Sequence, residues 1–211
     1  MNRKDPYRRI AAVYDVLLEP VLGGLRRVGA TLTPPLKNKR VLDIGCGTGS
    51  FLAYCARSGA KAFGIDRSAA MLAKAGKKIG AGAGLSFGDA ARTPFRARAF
   101  DLIAFTMALH EMAPATRSAV IEEAWRLLAA EGQLLVIDYH GGAVRFPWGR
   151  LFKLLGFCAE LAAGGEHFRN YRHFMSSGGL ATLIGTHRLR VVRQARVWQG
   201  AIVVSLLAFK R

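Results

Sequence analysis

The amino-acid sequence predicts a single α/β domain, a mostly parallel sheet layered between helices. Three observations carry that reading. Short apolar runs with strand character alternate with amphipathic helical stretches from residue 40 onward. The first run passes directly into a glycine loop, Gly45-Cys46-Gly47-Thr48-Gly49. Acidic residues stand at or beside the ends of successive runs, at Asp43, Asp66 and Asp89, where a parallel sheet opens its ligand crevice.

Taken in order, Tyr7 to Val28 places Ile10, Val13, Tyr14, Leu17, Val21 and Leu25 at spacings of three and four, which predicts one or two helices. Pro34-Pro35 ends that segment, because proline has no N–H to continue a helix. Strands are then predicted at 40–44, 61–65, 84–87, 100–106 and 132–138, and helices at 49–58, 68–79 and 115–130. Leu189 to Arg196 and Ala201 to Lys210 read as a hairpin around Gln199-Gly200. One domain, 1–211, is expected: an N-terminal helical cap (1–39), a ligand-binding core (40–140), a helical lid (141–186) and the C-terminal hairpin (187–211).

The glycine loop has a chemistry of its own. A dinucleotide loop reads G-x-G-x-x-G and aims backbone N–H groups at a pyrophosphate. Here the spacing is G-x-G-x-G with Asp43 two residues upstream, and a carboxylate there repels phosphate and attracts an ammonium group. S-adenosyl-L-methionine meets that demand, with an α-ammonium, two free ribose hydroxyls and no phosphate. Gly45, Gly47 and Gly49 let the backbone turn tightly against such a ligand. Asp66 lies 21 residues past Gly45, near the ~20-residue offset at which an acid meets ribose hydroxyls.

These residues resemble the class I S-adenosylmethionine-dependent methyltransferases, within them the group containing the ubiquinone and menaquinone C-methyltransferases and the bacterial phospholipid N-methyltransferases. The resemblance covers residues 40–140 well and the remainder loosely. It implies a Rossmann-like three-layer sandwich whose seven-stranded sheet ends in an antiparallel strand. It also implies that Asp89 and Ala90 meet adenine, that Cys46, Arg67 and Thr106 line the cofactor site, and that Tyr14 closes over it. The segment after the fourth strand, Met107-Ala108-Leu109-His110-Glu111-Met112, is similar to the family's acceptor loop.

The three cysteines, Cys46, Cys55 and Cys158, show neither paired nor metal-ligand spacing, so no disulfide scaffold and no metal are expected, and a reducing cytoplasm is the expected location. No run reaches the ~18 apolar residues of a spanning helix, and Asp15 and Glu19 interrupt any leader-like stretch. The net charge of +17 is unevenly spread: +6 over residues 1–40, +2 over 41–140 and +9 over 141–211. A neutral core under basic flanks predicts attraction to an anionic surface, such as the inner face of a membrane, or else a solvated basic face.

The lid is the most individual segment. Trp148, Leu151, Phe152, Leu155 and Leu161 form an apolar stripe flanked by Arg150 and Lys153. Such a helix either lies in a membrane interface or packs its stripe on the protein. Farther on, Arg169, Arg172 and His173, with Tyr171 among them, can meet an anionic group on the acceptor if the segment is helical. His110 is the first candidate for a general base and His140, at the end of the fifth strand, the second.

The sequence reading is therefore a methyltransferase acting on a small hydrophobic or lipid-like acceptor, quinone or phospholipid headgroup. Nucleic acid is the disfavoured partner: the fourth strand ends in Phe105-Thr106-Met107-Ala108, without the Asn-Pro-Pro-aromatic signature, and no Pro-Cys pair is present. An RNA methyltransferase using the basic surface, or a non-catalytic cofactor-binding protein, are the alternatives.

Overall fold

A computed structural model describes residues 11–80 and 82–210, with side chains from Leu22 onward. Seven strands form one sheet in the order β3-β2-β1-β4-β5-β7-β6. They are β1 (Arg40–Ile44), β2 (Lys61–Asp66), β3 (Gly84–Phe87), β4 (Phe100–Thr106), β5 (Leu128–Tyr139), β6 (Leu189–Val197) and β7 (Ile202–Phe209). The pairs β1–β2, β1–β4, β2–β3 and β4–β5 are parallel, whereas β7 runs antiparallel to both β5 and β6. Strand order reverses beside β1, so the crevice opens between the C-terminal ends of β1 and β4.

The central strands read as continuous apolar runs because helices cover both faces. Val41, Leu42, Ile103, Ala104, Leu135 and Val136 are fully buried. On one side α1 (Ala11–Leu32), α2 (Ser50–Arg57) and α3 (Ala69–Ile79) pack against one another. α3 is capped by Ser68, whose Oγ accepts the Met71 N–H at 3.1 Å. α4 (Pro114–Leu127), with proline in its first turn, packs against α6 (Gly165–Ser176). α5 (Trp148–Ala162) joins α6, and α7 (Leu180–Thr186) packs on β6.

Two expectations shift. β5 begins at Leu128, four residues before the predicted start, because Leu128 pairs with Phe100 across a register irregularity that the pattern of apolar residues does not reveal. α1 continues past Val28 to Leu32. β6 is the sheet's edge, and a bulge between Val191 and Arg193 brings Arg190 and Arg193 to the same face, opposite Ala208 and Leu206. Among the described residues no helix is long and apolar enough to cross a membrane.

Candidate active site

Asp43, one residue from the end of β1, is buried, and its Oδ1 has no hydrogen-bond partner among the described residues. Burial pushes its carboxyl up to about 8; the Arg26 guanidinium on α1 draws it down and the Asp66 carboxylate pushes it up. Thr106 Oγ1, at the end of β4, is likewise buried without a partner. Arg26, Asp43, Gly45, Cys46, Gly47 and Thr106 line one cavity.

The loop fixes this geometry. Gly47 has φ 52°, and a Cβ built there would meet nothing within 4 Å, so its backbone faces open space. Its N–H donates to Asp66 Oδ2 at 2.8 Å, and the Ser68 N–H donates to Asp66 Oδ1 at 2.8 Å. Gly49, at φ 75°, lets α2 pack so closely on α3 that a Cβ would lie 2.8 Å from that of Ala75. The Cys46 thiol packs over Gly64 of β2, where burial and the neighbouring carboxylates push its pKa well up.

Other expected contacts stand farther out. Arg67 and Asp89 are exposed, Ala90 is buried, and none of the three is in the cavity lining around Asp43. Asp89 Oδ1 accepts the Ala91 N–H at 3.0 Å, an Asx turn. The Tyr14 side chain lies outside the described residues.

A second cluster sits where the loop after β4 meets the lid. His110, in the 3-10 turn Leu109–Glu111, is 2 % exposed. Its Nδ1 pairs with Asp138 Oδ1 at 2.7 Å and its Nε2 lies 3.3 Å from Glu160 Oε1. Burial alone would lower its pKa, but the two carboxylates hold it well above the ordinary imidazole value. His167 Nε2 contacts Glu160 Oε2 and lies 3.8 Å from Glu111 Oε1. Asp138 also accepts the backbone N–H groups of Leu109, His110 and Tyr139. The first candidate base thus has both ring nitrogens facing carboxylates.

His140 differs. It is partly exposed at the rim beyond β5, and its Nδ1 lies 2.9 Å from the Gly200 carbonyl oxygen, to which it can donate, leaving Nε2 as the acceptor. Burial lowers its pKa, the Gly200 bond opposes that, and Arg196 and Lys153 lower it further, a balance that favours the neutral imidazole.

The lid departs from its predicted stripe. Trp148, Leu151, Leu154, Leu155, Phe157 and Leu161 of α5 are exposed. Phe152 belongs to the opposite face and stacks on Trp198 at 5.8 Å. That inward face holds Gly149, Phe152, Gly156 and the buried Glu160, at spacings of three and four. On α6, Arg169, Arg172 and His173 are exposed, as is Trp148 on α5, while Tyr171 is buried opposite the three basic residues, 5.0 Å from the Tyr139 ring centroid. Tyr171 is therefore separated from that basic face.

The sequence reading missed Arg26, Asp138, Glu160 and His167. Asp138 left a signal, a lone acid inside the apolar run Leu134 to Tyr139. The others left none, since only the docking of helices brings them to their sites.

The fold is similar to that of solved methyltransferases, and residues 41–132 match the family described as a methyltransferase domain. The chain is 33 % identical over 128 residues to an uncharacterized methyltransferase of Synechocystis sp., covering 58 % of this chain and 60 % of the relative. It is 34 % identical over 149 residues to the ubiquinone/menaquinone biosynthesis C-methyltransferase of Rhizobium meliloti, covering 64 % of this chain and 57 % of the relative. The matched region thus spans about three fifths of these curated relatives. In fold the chain is similar to a methyltransferase from Aquifex aeolicus (TM-score 0.62, 16 % identity, 86 % and 88 % of the two chains). It is also similar to a chain of the complex between the Haloferax volcanii Trm112 methyltransferase activator and a methyltransferase (TM-score 0.72, 15 % identity, 99 % and 100 %).

S-adenosylmethionine is the cofactor of this class, and the residues present fit it. A buried carboxylate with an unsatisfied oxygen suits its ammonium, an open Gly47 backbone suits its close approach, and the Asp66 carboxylate at the end of β2 is the acceptor type that ribose hydroxyls need.

Proposed function

We propose that the protein transfers a methyl group from S-adenosylmethionine to a small hydrophobic or lipid-like acceptor of the quinone or phospholipid-headgroup kind. The observation that carries this reading is Asp43, a buried acid with an unpartnered oxygen beside an open glycine loop. Leaving such a group unsatisfied costs about 1–3 kcal/mol, more if charged, and a bound ammonium removes that cost.

The bound cofactor supplies a methyl group on a sulfonium, already activated for in-line displacement. Asp43 pairs with the α-ammonium and Arg26 with the carboxylate of the same amino-acid end. Gly45, Cys46, Gly47 and Gly49 shape the loop around it, Asp66 accepts the ribose hydroxyls, and Arg67, Asp89 and Ala90 flank the adenine. Thr106 faces the methionyl chain, and Tyr14 closes the cap. Where the acceptor arrives protonated, His140 Nε2 takes the proton. This assignment favours His140 over His110, whose nitrogens both face carboxylates.

Arg169, Arg172 and His173 are proposed to meet an anionic acceptor group, with Trp148 at the entrance. The exposed leucines of α5, with Arg150 and Lys153 beside them, support peripheral contact with an anionic membrane on its cytoplasmic side. The relatives named for quinone C-methylation support a hydrophobic acceptor. The test is incubation with methyl-labelled cofactor and a total lipid extract. Label in a quinone or phospholipid is the expected result; label confined to RNA or protein overturns the acceptor, and absence of cofactor binding overturns the reaction.

A further inference from the structure

The cluster beneath the lid has the composition of a metal centre, although its ligands come from three separate segments. One ring nitrogen each of His110 and His167 and a Glu111 carboxylate oxygen all lie within 4.8 Å of one another. Glu160 stands between the imidazoles, with Oε1 3.3 Å from His110 Nε2 and Oε2 against His167 Nε2. A tetrahedral ion with bonds of about 2.0–2.1 Å separates neighbouring donor atoms by about 3.3 Å.

The supporting groups are arranged as a metal site requires. Ligating histidines donate their other N–H to a carboxylate, which fixes the ring. Asp138, 2.7 Å from His110 Nδ1, meets that requirement and leaves Nε2 for the cluster. The Tyr139 hydroxyl donates to Glu160 Oε1 at 2.8 Å, and the Asn170 side-chain amide donates to the Glu111 carbonyl at 2.8 Å. Charge points the same way. Arg117, buried beside the turn and donating to the Leu109 and Met112 carbonyls, offsets Asp138. One divalent cation held by Glu111, Glu160 and two neutral imidazoles keeps that part of the site neutral.

We propose that His110, Glu111, Glu160 and His167 bind one divalent first-row transition-metal ion. Two nitrogen and two carboxylate donors select Zn²⁺, Co²⁺ or Fe²⁺ over Mg²⁺ and Ca²⁺, which prefer all-oxygen shells. The ion ties α5 and α6 to the loop after β4, and so fixes the lid on the core.

The test is titration of the untagged full chain, stripped by chelator, with Co²⁺ as a spectroscopic probe. One equivalent should bind with visible d–d absorption, be displaced by one equivalent of Zn²⁺, and raise the melting temperature. His167→Ala and Glu111→Gln should each weaken Co²⁺ binding at least tenfold, and His173→Gln, exposed on the same helix, should bind as the parent does. If His167→Ala fails to fold, Glu111→Gln decides, because its side chain is partly exposed. Absence of stoichiometric Co²⁺ or Zn²⁺ binding, saturation by Mg²⁺ alone, or undiminished affinity in Glu111→Gln overturns the proposal.

Discussion

The glycine-loop site and the cluster under the lid are built on opposite plans. In the first, Asp43, Gly47 and Thr106 come from strand ends and one loop, which the sheet brings together, and α1 adds Arg26. In the second, residues 110, 138, 160 and 167 meet only when α5 and α6 dock. The first site leaves Asp43 Oδ1 and Thr106 Oγ1 without a hydrogen-bond partner among the described residues, while the second sets its histidines against carboxylates. The difference teaches that a sheet can present most of a ligand site through its strand ends, whereas a lid must be held by something.

The sharpest way to break the comparison is Glu160→Ala. Removing one partner of a buried ion pair typically costs about 3–5 kcal/mol, because His110 and His167 lose their shared carboxylate. Denaturant unfolding should show that loss, and a change under about 1 kcal/mol would mean that the cluster holds nothing. Next comes Gly49→Ala. The new Cβ meets Ala75 at 2.8 Å from a left-handed backbone, and overpacking of that kind typically costs about 1–3 kcal/mol. Its melting curve should fall while the spectroscopic signature of the lid cluster is kept.

Asp43→Asn acts on function more than on stability. Replacing the charge-assisted contact by a neutral one should cost about 2 kcal/mol of cofactor affinity, roughly thirtyfold, measured by calorimetry with the demethylated product. The sign of the accompanying pH effect follows from the raised carboxyl. The folded value of about 8 lies above the unfolded value near 4, so between these limits the folded chain holds a proton that the unfolded chain releases. Asp43 therefore leaves stability intact below pH 4, reduces it progressively from pH 4 to 8, and adds no further loss above. Asp43→Asn should flatten that slope, and an unchanged profile would remove the residue from the titration.

The smallest folding effect belongs to Leu151→Asp with Leu155→Asp. Both sites are exposed, so each should change stability by no more than about 0.5 kcal/mol. Binding to anionic vesicles should nevertheless be lost, and retained binding would take α5 out of the membrane reading.

Much of the first site was legible because its signals are local. A glycine loop after an apolar strand, and acids closing successive strands, survive in one dimension. Strand positions were read within a few residues for the same reason, except at β5, where pairing of Leu128 across an irregularity extended the strand. The lid was misread at one level only. Its helical period was visible, but which face turns inward was not, because the inward face is made of Gly149, Gly156 and Glu160 rather than of leucines. Apolar residues mark a core face only where a core awaits them. The second site inherits that difficulty, since His167 and Glu160 carry no mutual spacing that means anything before docking.

The outer strand has a consequence for how the molecule meets its own copies. β6 leaves its far side unpaired, the kind of margin on which chains stack edge to edge. Arg190 and Arg193 crowd one face of that margin, and Arg196 stands on the other. A second copy drawn alongside would set cation against cation, which opposes edge-to-edge growth of the sheet.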